Sequence, residues 1–138
     1  SDIADLEMAS FKDAKPAISK ALNSSDPVER YWGATVCASF GGEAVSLYKE
    51  LELLTVDTQA FVRSRAIVAL SRMGQVNPVP LMNEAFTIAG SGAESLLILN
   101  DITYLQESNL GVHFNLQESD ILQKCSVTDW RLKYLSAK

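Results

Sequence analysis

The most constraining feature of the sequence is a helix-length pattern written twice. Arg30 and Arg63 stand 33 residues apart, and so do Gly41 and Gly74, so each segment runs from an arginine to a glycine over one offset. Between these marks the apolar positions coincide. Gly33, Val36, Cys37 and Phe40 follow the i, i+3, i+4, i+7 spacing of a buried helical face, and Ala66, Ala69, Leu70 and Met73 hold the equivalent places. A companion stripe follows each: Ala44, Leu47, Tyr48 and Leu51, then Met82, Ala85, Phe86 and Ala89. A helix pair repeated at this period buries its apolar face by stacking on its neighbours, as α-solenoids do. A third pair, 78–89 with 92–106, continues the pattern with Leu96 where the arginine would stand.

Local punctuation agrees with helices throughout. Asp26-Pro27-Val28-Glu29 offers an N-cap, a proline at the first helical position and a Glu at the third, and Ser91-Gly92-Ala93-Glu94 reads as a capping box. Asn77-Pro78 opens another helix, while Gly41-Gly42 and Gly74 close two. The expected helices are 2–10, 14–23, 27–40, 43–54, 59–73, 78–89, 92–106, 118–125 and 127–136. Only Val112, Phe114 and Leu116 alternate as a strand would, too few to build a sheet. The fold class that follows is all-α, a short right-handed α-α superhelix over 1–138, with repeat pairs at about 11–41, 42–74 and 78–106. Leu96-Leu97-Ile98-Leu99 is apolar all round and predicts a helix covered on more than one side. Ile121, Leu122, Trp130, Leu132 and Leu135 of the capping helices at 118–136 are the expected cover, since an array needs its last face closed.

Charge and size narrow the function. With 138 residues the chain has the length of one domain, and its net charge of −5 disfavours nucleic acid, whose affinity rests on neutralised phosphates. No apolar run approaches the ~18 residues of a membrane span. The opening Ser1-Asp2-Ile3-Ala4 has no initiator Met, so the expectation is a piece of a longer chain. Cys37 and Cys125 are the only cysteines and leave the redox compartment open.

The second pair carries a resemblance. Asp57-Thr-Gln-Ala-Phe-Val-Arg63, followed by Ala66 and Leu70, resembles the turn and second helix of a HEAT repeat, a family whose Asp and Arg commonly form a side-chain ladder between repeats. The first pair departs from that pattern, with Ser24 in place of the Asp and Glu29 in place of Val62. Asp26 to Ala34, Phe61 to Ala66 and Leu97 to Ile102 resemble the HEAT-like region that follows the catalytic domain in bacterial sulfatases of the arylsulfatase and heparan N-sulfatase type, over about residues 7–135. The resemblance implies an exported protein, periplasmic or extracellular. It also implies that chemistry lies elsewhere: a sulfatase carries Cys or Ser, one residue, then Pro-Ser-Arg, and neither Cys37-Ala38-Ser39 nor Cys125-Ser126-Val127 fits.

Candidate residues have two readings each. Arg30 and Arg63, with Arg65 nearby, suit bidentate binding of sulfate or carboxylate, but equivalent positions in two repeats equally predict inter-repeat contacts, a ladder of Asp57 with Arg63 or of Arg63 with a neighbouring carbonyl. Tyr31 and Trp32 read as an exposed sugar or protein contact, or as packing against helix 14–23 or an adjoining domain. Asn100 and Asp101 are expected to be buried and paired, with a backbone group of the 107–117 loop or with a ligand, because an orphaned buried polar group costs about 1–3 kcal/mol. His113, the only histidine, has no partner at metal-ligand spacing, so no metal and no cofactor are expected. The expected function is therefore a non-catalytic accessory module that packs against the catalytic domain of an exported sulfatase. The alternative is a free-standing module that grips another protein. A HEAT-like alkylpurine glycosylase is opposed by the charge.

Overall fold

Helix starts in the structure are set by short polar side chains. In this computed structural model, which describes residues 10–137, Ser10 Oγ accepts from Asp13 N–H, Asp26 Oδ1 from Val28 N–H, Asn77 Oδ1 from Val79 N–H and Ser91 Oγ from Glu94 N–H. Each such cap is worth about 1 kcal/mol. They open α1 (Phe11–Leu22), α2 (Pro27–Phe40), α5 (Pro78–Ile88) and α6 (Gly92–Glu107). The others are α3 (Tyr48–Leu54), α4 (Ala60–Arg72), α7 (Glu118–Lys124) and α8 (Asp129–Leu135). The helix expected at 2–10 lies outside the described residues. That expected over 43–54 begins instead as a 3₁₀ turn, Gly41–Leu47, which runs into α3.

Two glycines, one at a predicted stop and one inside a helix, have distinct geometry. Gly74 takes φ of +73°, its N–H donates to Ser71 O at 3.1 Å, and Gln75 N–H reaches Leu70 O at 3.0 Å, the paired bonds of a Schellman cap. Gly33, inside α2, matters for another reason: a Cβ there would stand 3.0 Å from that of Ala21 and 3.2 Å from Leu22 N, so α1 would have to give by a few tenths of an ångström to admit one.

The regular elements of the described residues are all helical, so the chain is all-α. α4 lies between α2 and α6 and touches both, while α1 backs α2, α3 and α5 flank α4, and α5 also reaches α6. One core joins them, with Ile18, Val36, Leu47, Leu51, Ile67, Met82, Ile98, Leu99 and Ile102 fully buried. Among the described residues no helix is long and apolar enough to cross a membrane.

The third pair and its cover differ from expectation. Ile98 and Leu99 are buried but Leu96 and Leu97 face solvent, so the apolar run is not covered all round; a 3.6-residue period carries alternate pairs of a four-residue run to opposite sides. Of the expected cover, Ile121 and Leu135 are fully buried and Leu132 half-buried, whereas Leu122 and Trp130 are 56% and 55% exposed. The connecting segment supplies what they do not. Phe114 and Leu116 are buried, and Leu116 pairs its backbone with the end of α8, accepting from Ala137 N–H and donating to Leu135 O at 2.9 Å each. Gln106 braces this cover from α6, with Nε2 donating to Tyr134 O at 2.7 Å and Oε1 accepting from Phe114 N–H at 2.8 Å.

Candidate functional site

The two repeated arginines are held differently. Arg30 donates from Nε to Asp57 Oδ1 at 2.9 Å and from Nη2 to Oδ2 at 3.1 Å, a bidentate fork, while its Nη1 donates to Ser24 O at 3.0 Å. Arg63 repeats only the last contact: its Nε donates to Asp57 O at 2.5 Å, and its nearest carboxylate is exposed Glu84 at 3.7 Å. The expected Asp57 and Arg63 ladder is thereby redrawn. The two touch through a main-chain carbonyl, and the Asp57 carboxylate goes to the arginine of the preceding pair. The reason is position: Asp57 sits in the turn before α4, where its side chain faces the first turn of α2 and its carbonyl faces its own helix. Residue 90, one offset beyond Asp57, is a glycine, so Arg63 has no such carboxylate.

Neither Arg30 nor Arg63 is available to a ligand in this arrangement. Their side chains are 15% and 16% exposed; the Arg30 fork is spent on Asp57, while Arg63 gives Nε to the fold and holds only the long contact with Glu84.

Arg65 is placed otherwise. Its guanidinium lies 5.1 Å from the Tyr31 ring centre, a cation-π contact, and Nε stands 3.4 Å from Asp101 Oδ2. That approach is close enough for ion pairing but is not aligned as a hydrogen bond, so the buried Nε proton has no acceptor. Tyr31 is itself packed edge-on by Trp32 at 5.3 Å and tilted against Phe61 at 5.7 Å between ring centres. Tyr31 is thus half-buried against α4, whereas Trp32 stays 47% exposed.

Asp101 is buried and paired, though with α4 and not with the 107–117 loop as expected. Its Oδ2 accepts from Ser64 Oγ at 2.6 Å, and Ser64 Oγ also lies 3.5 Å from Met82 Sδ. Burial pushes the Asp101 carboxyl above its ordinary range, and the Arg65 charge and the Ser64 hydrogen bond pull it only partly back. Asn100 does not share this environment. It is exposed and accepts from Arg131 Nη1 at 2.7 Å, because one residue along a helix is a 100° turn that carries its side chain to the outer edge.

These residues border a groove of about 350 Å³ between α2, α4 and α6, lined by Thr35, Ala38, Ser39, Arg65, Val68, Arg72, Asp101 and Tyr104. Sequence reasoning found Arg65 and Asp101 but missed Ser64, Arg72 and Tyr104. The repeat offset held the signal: Thr35, Val68 and Asp101 are successive equivalents, and so are Ser39 and Arg72. His113 is exposed and borders a different, larger hollow of about 570 Å³ at the end of α4, with Gly74, Asn77 and Leu110. Among the described residues no three His, Cys, Asp or Glu side chains gather as a metal site would need. Compared with protein-family models, curated proteins and solved structures, the chain matches none.

Proposed function

We propose that the chain is a HEAT-like helical-repeat module, without chemistry of its own, that holds a protein surface against the face formed by α2, α4 and α6. The observation that carries this reading is the Arg30 fork on Asp57. It joins the first helix pair to the turn of the second, as a HEAT ladder joins successive repeats, while Trp32 and Arg72 stay exposed and Arg65 is half-buried beside them. An exposed Trp beside Arg and Tyr is the composition of an interaction hot spot. The resemblance of Asp26 to Ala34 and Phe61 to Ala66 to the region beyond sulfatase catalytic domains makes such a domain, in an exported parent protein, the partner we propose. In that setting the module buttresses the parent enzyme or shapes its cleft.

Two measurements test this. Reading the coding sequence upstream of Ser1 should reveal a hydrolase domain with a Cys or Ser, one residue, Pro, Ser and Arg; a stop codon or an unrelated domain there would sink the sulfatase parent. Independently, Trp32→Ala should weaken binding to the partner domain supplied in trans by about tenfold or more, the usual scale of a hot-spot Trp. Unchanged binding would remove this face from the interface.

A further inference from the structure

Two arginines and a single carboxylate line the groove between α2, α4 and α6. Arg65, Val68 and Arg72 follow one another at i, i+3 and i+7 along α4 and make its floor; α2 supplies one wall with Thr35 and Ser39, and α6 the other with Asp101 and Tyr104. The hydroxyls on the α2 wall spend their protons on their own helix, Thr35 Oγ1 donating to Tyr31 O at 2.9 Å and Ser39 Oγ to Val36 O at 2.6 Å. Asp101, the one carboxylate, is turned to Ser64 and Arg65. The donors left over are the two Nη groups of Arg65, the whole guanidinium of exposed Arg72 and the Tyr104 hydroxyl, none of which has an acceptor among the described residues. Two guanidinium edges without acceptors, against one carboxylate that already gives Oδ2 to Ser64 and Arg65, favour an anion. On a chain of net charge −5 such a concentration of cationic donors is local.

We propose that this groove binds an extended peptide segment of a protein partner through two carboxylate side chains, one on Arg65 and one on Arg72. The inference rests on the protein-docking reading above and names the chemistry of the docked segment. Spacing supports it. Seven residues of helix separate the arginines by about 10.5 Å, and side chains three apart on a polyproline-like strand are about 9.3 Å apart on one side, so carboxylates at i and i+3 match the pair. Buried Val68 between the arginines gives the intervening residues an apolar floor. Arg65 is preorganised for this role, since Tyr31 beneath it and Asp101 beside it fix the plane of its fork and lower the ordering cost of binding. Nucleic acid is the poorer fit, because the same −5 that leaves the groove locally positive repels a phosphate backbone elsewhere.

The test is fluorescence anisotropy on the full chain with a labelled peptide carrying two glutamates at i and i+3 around apolar residues, beside versions with both glutamates made glutamine and with the glutamates adjacent. The glutamate peptide should bind. Arg72→Glu, a change at an exposed site, should weaken it at least about tenfold, and Arg65→Lys, which keeps the charge and loses the fork, should weaken it less. The adjacent-glutamate peptide should bind more weakly, and ~1 M salt should abolish binding, since charges are then screened within ~3 Å. Circular dichroism melts confirm that each variant is folded. Equal binding of the glutamine peptide to wild type and Arg72→Glu overturns carboxylate recognition but leaves peptide docking standing. No binding of any peptide to the folded chain overturns both. A sulfated oligosaccharide that binds where the glutamate peptide does not overturns the peptide as the occupant.

Discussion

Arg30 and Arg63 occupy one position in successive helix pairs, yet the two junctions they border are fastened by different means. At the first, between α2 and α4, a bidentate ion pair reaches across to Asp57, whose side chain is 8% exposed. At the second, between α4 and α6, no arginine crosses to a carboxylate of the next turn. The work falls to Ser64 and Arg65 on buried Asp101, and to Glu94, whose two oxygens accept from Gly90 N–H at 2.6 Å and Phe61 N–H at 3.3 Å. A repeat specifies its own contact only while both partners recur. Once Gly90 replaces the acid and Leu96 the arginine, the fold is closed by contacts peculiar to that place.

The largest effect should come from removing what lies behind the second junction. A chain ending at Glu107 loses Phe114, Leu116, Ile121 and Leu135 from the core, each buried side chain of this kind contributing roughly 1.5–3 kcal/mol of transfer free energy. Set against a usual total of about 5–15 kcal/mol, the truncated chain is expected to aggregate or to bind a hydrophobic dye. A soluble 1–107 chain that melts cooperatively would show that the second junction stands without its cover.

The arginines themselves come next. Arg30→Ala leaves the poorly exposed Asp57 carboxylate without its counter-charge and with only the Gln59 N–H as partner, and a loss of about 2–4 kcal/mol is expected in urea denaturation. Arg63→Ala gives up one hydrogen bond to a carbonyl and a long contact with exposed Glu84, worth about 1 kcal/mol. In double-mutant cycles Arg30 and Asp57 should be strongly non-additive, while Arg63 and Asp57 should add. The reverse order, or equal losses, would erase the contrast between the junctions.

A smaller effect separates the junctions by pH. The folded chain holds the Asp101 proton to higher pH than the unfolded chain, chiefly because of burial. Between the ordinary carboxylate value of ~3.9 and the raised one, the native state therefore binds more protons, and this group's contribution to stability falls as pH rises. Asp101→Asn lacks the group. The unfolding free energy of wild type minus that of the variant should decline through this window and level off above it. A difference that stays flat or climbs would mean that Arg65 and Ser64 outweigh burial.

How far these contacts could be read from the sequence depends on their range. Asp26, Asn77 and Ser91 announce caps because capping acts within two or three residues, and the helix pairs show because apolar periodicity repeats. The Arg30 partner was hidden: Asp57 was visible as a turn acid of its own pair, and nothing local says that its side chain and its carbonyl serve different helices. Asn100 and Asp101 look alike in sequence, and only the rotation of α6 against α4 decides which is inside. The same limit applies to Leu122 and Trp130, whose apolar character does not say whether anything covers them. The groove lay in plain view as equivalents at 33 residues, but its meaning came from which hydroxyls and carboxylates were already spent.

The smallest expected effect uses the two cysteines, one on each side of the contrast. Cys37 lies in α2 at the first junction, fully buried, its thiol pushed up to about 12 by burial with the Glu50 charge adding to it. Cys125 follows α7 in the cover; partial burial raises its thiol too, but the Arg131 and Lys124 charges act against the rise. Because the thiolate is the reactive form, and because a reagent must also reach it, a neutral-pH thiol reagent should modify Cys125 in the folded chain and Cys37 only after unfolding. With each rate divided by that of the same thiol in the unfolded chain, the ratio compares the protection of the cover with that of the ion-paired junction. Raising urea below the unfolding midpoint should speed Cys125 first. Should Cys37 be modified in step with Cys125, the Arg30 fork would not be holding α2 against α4 any more firmly than the cover is held against α6.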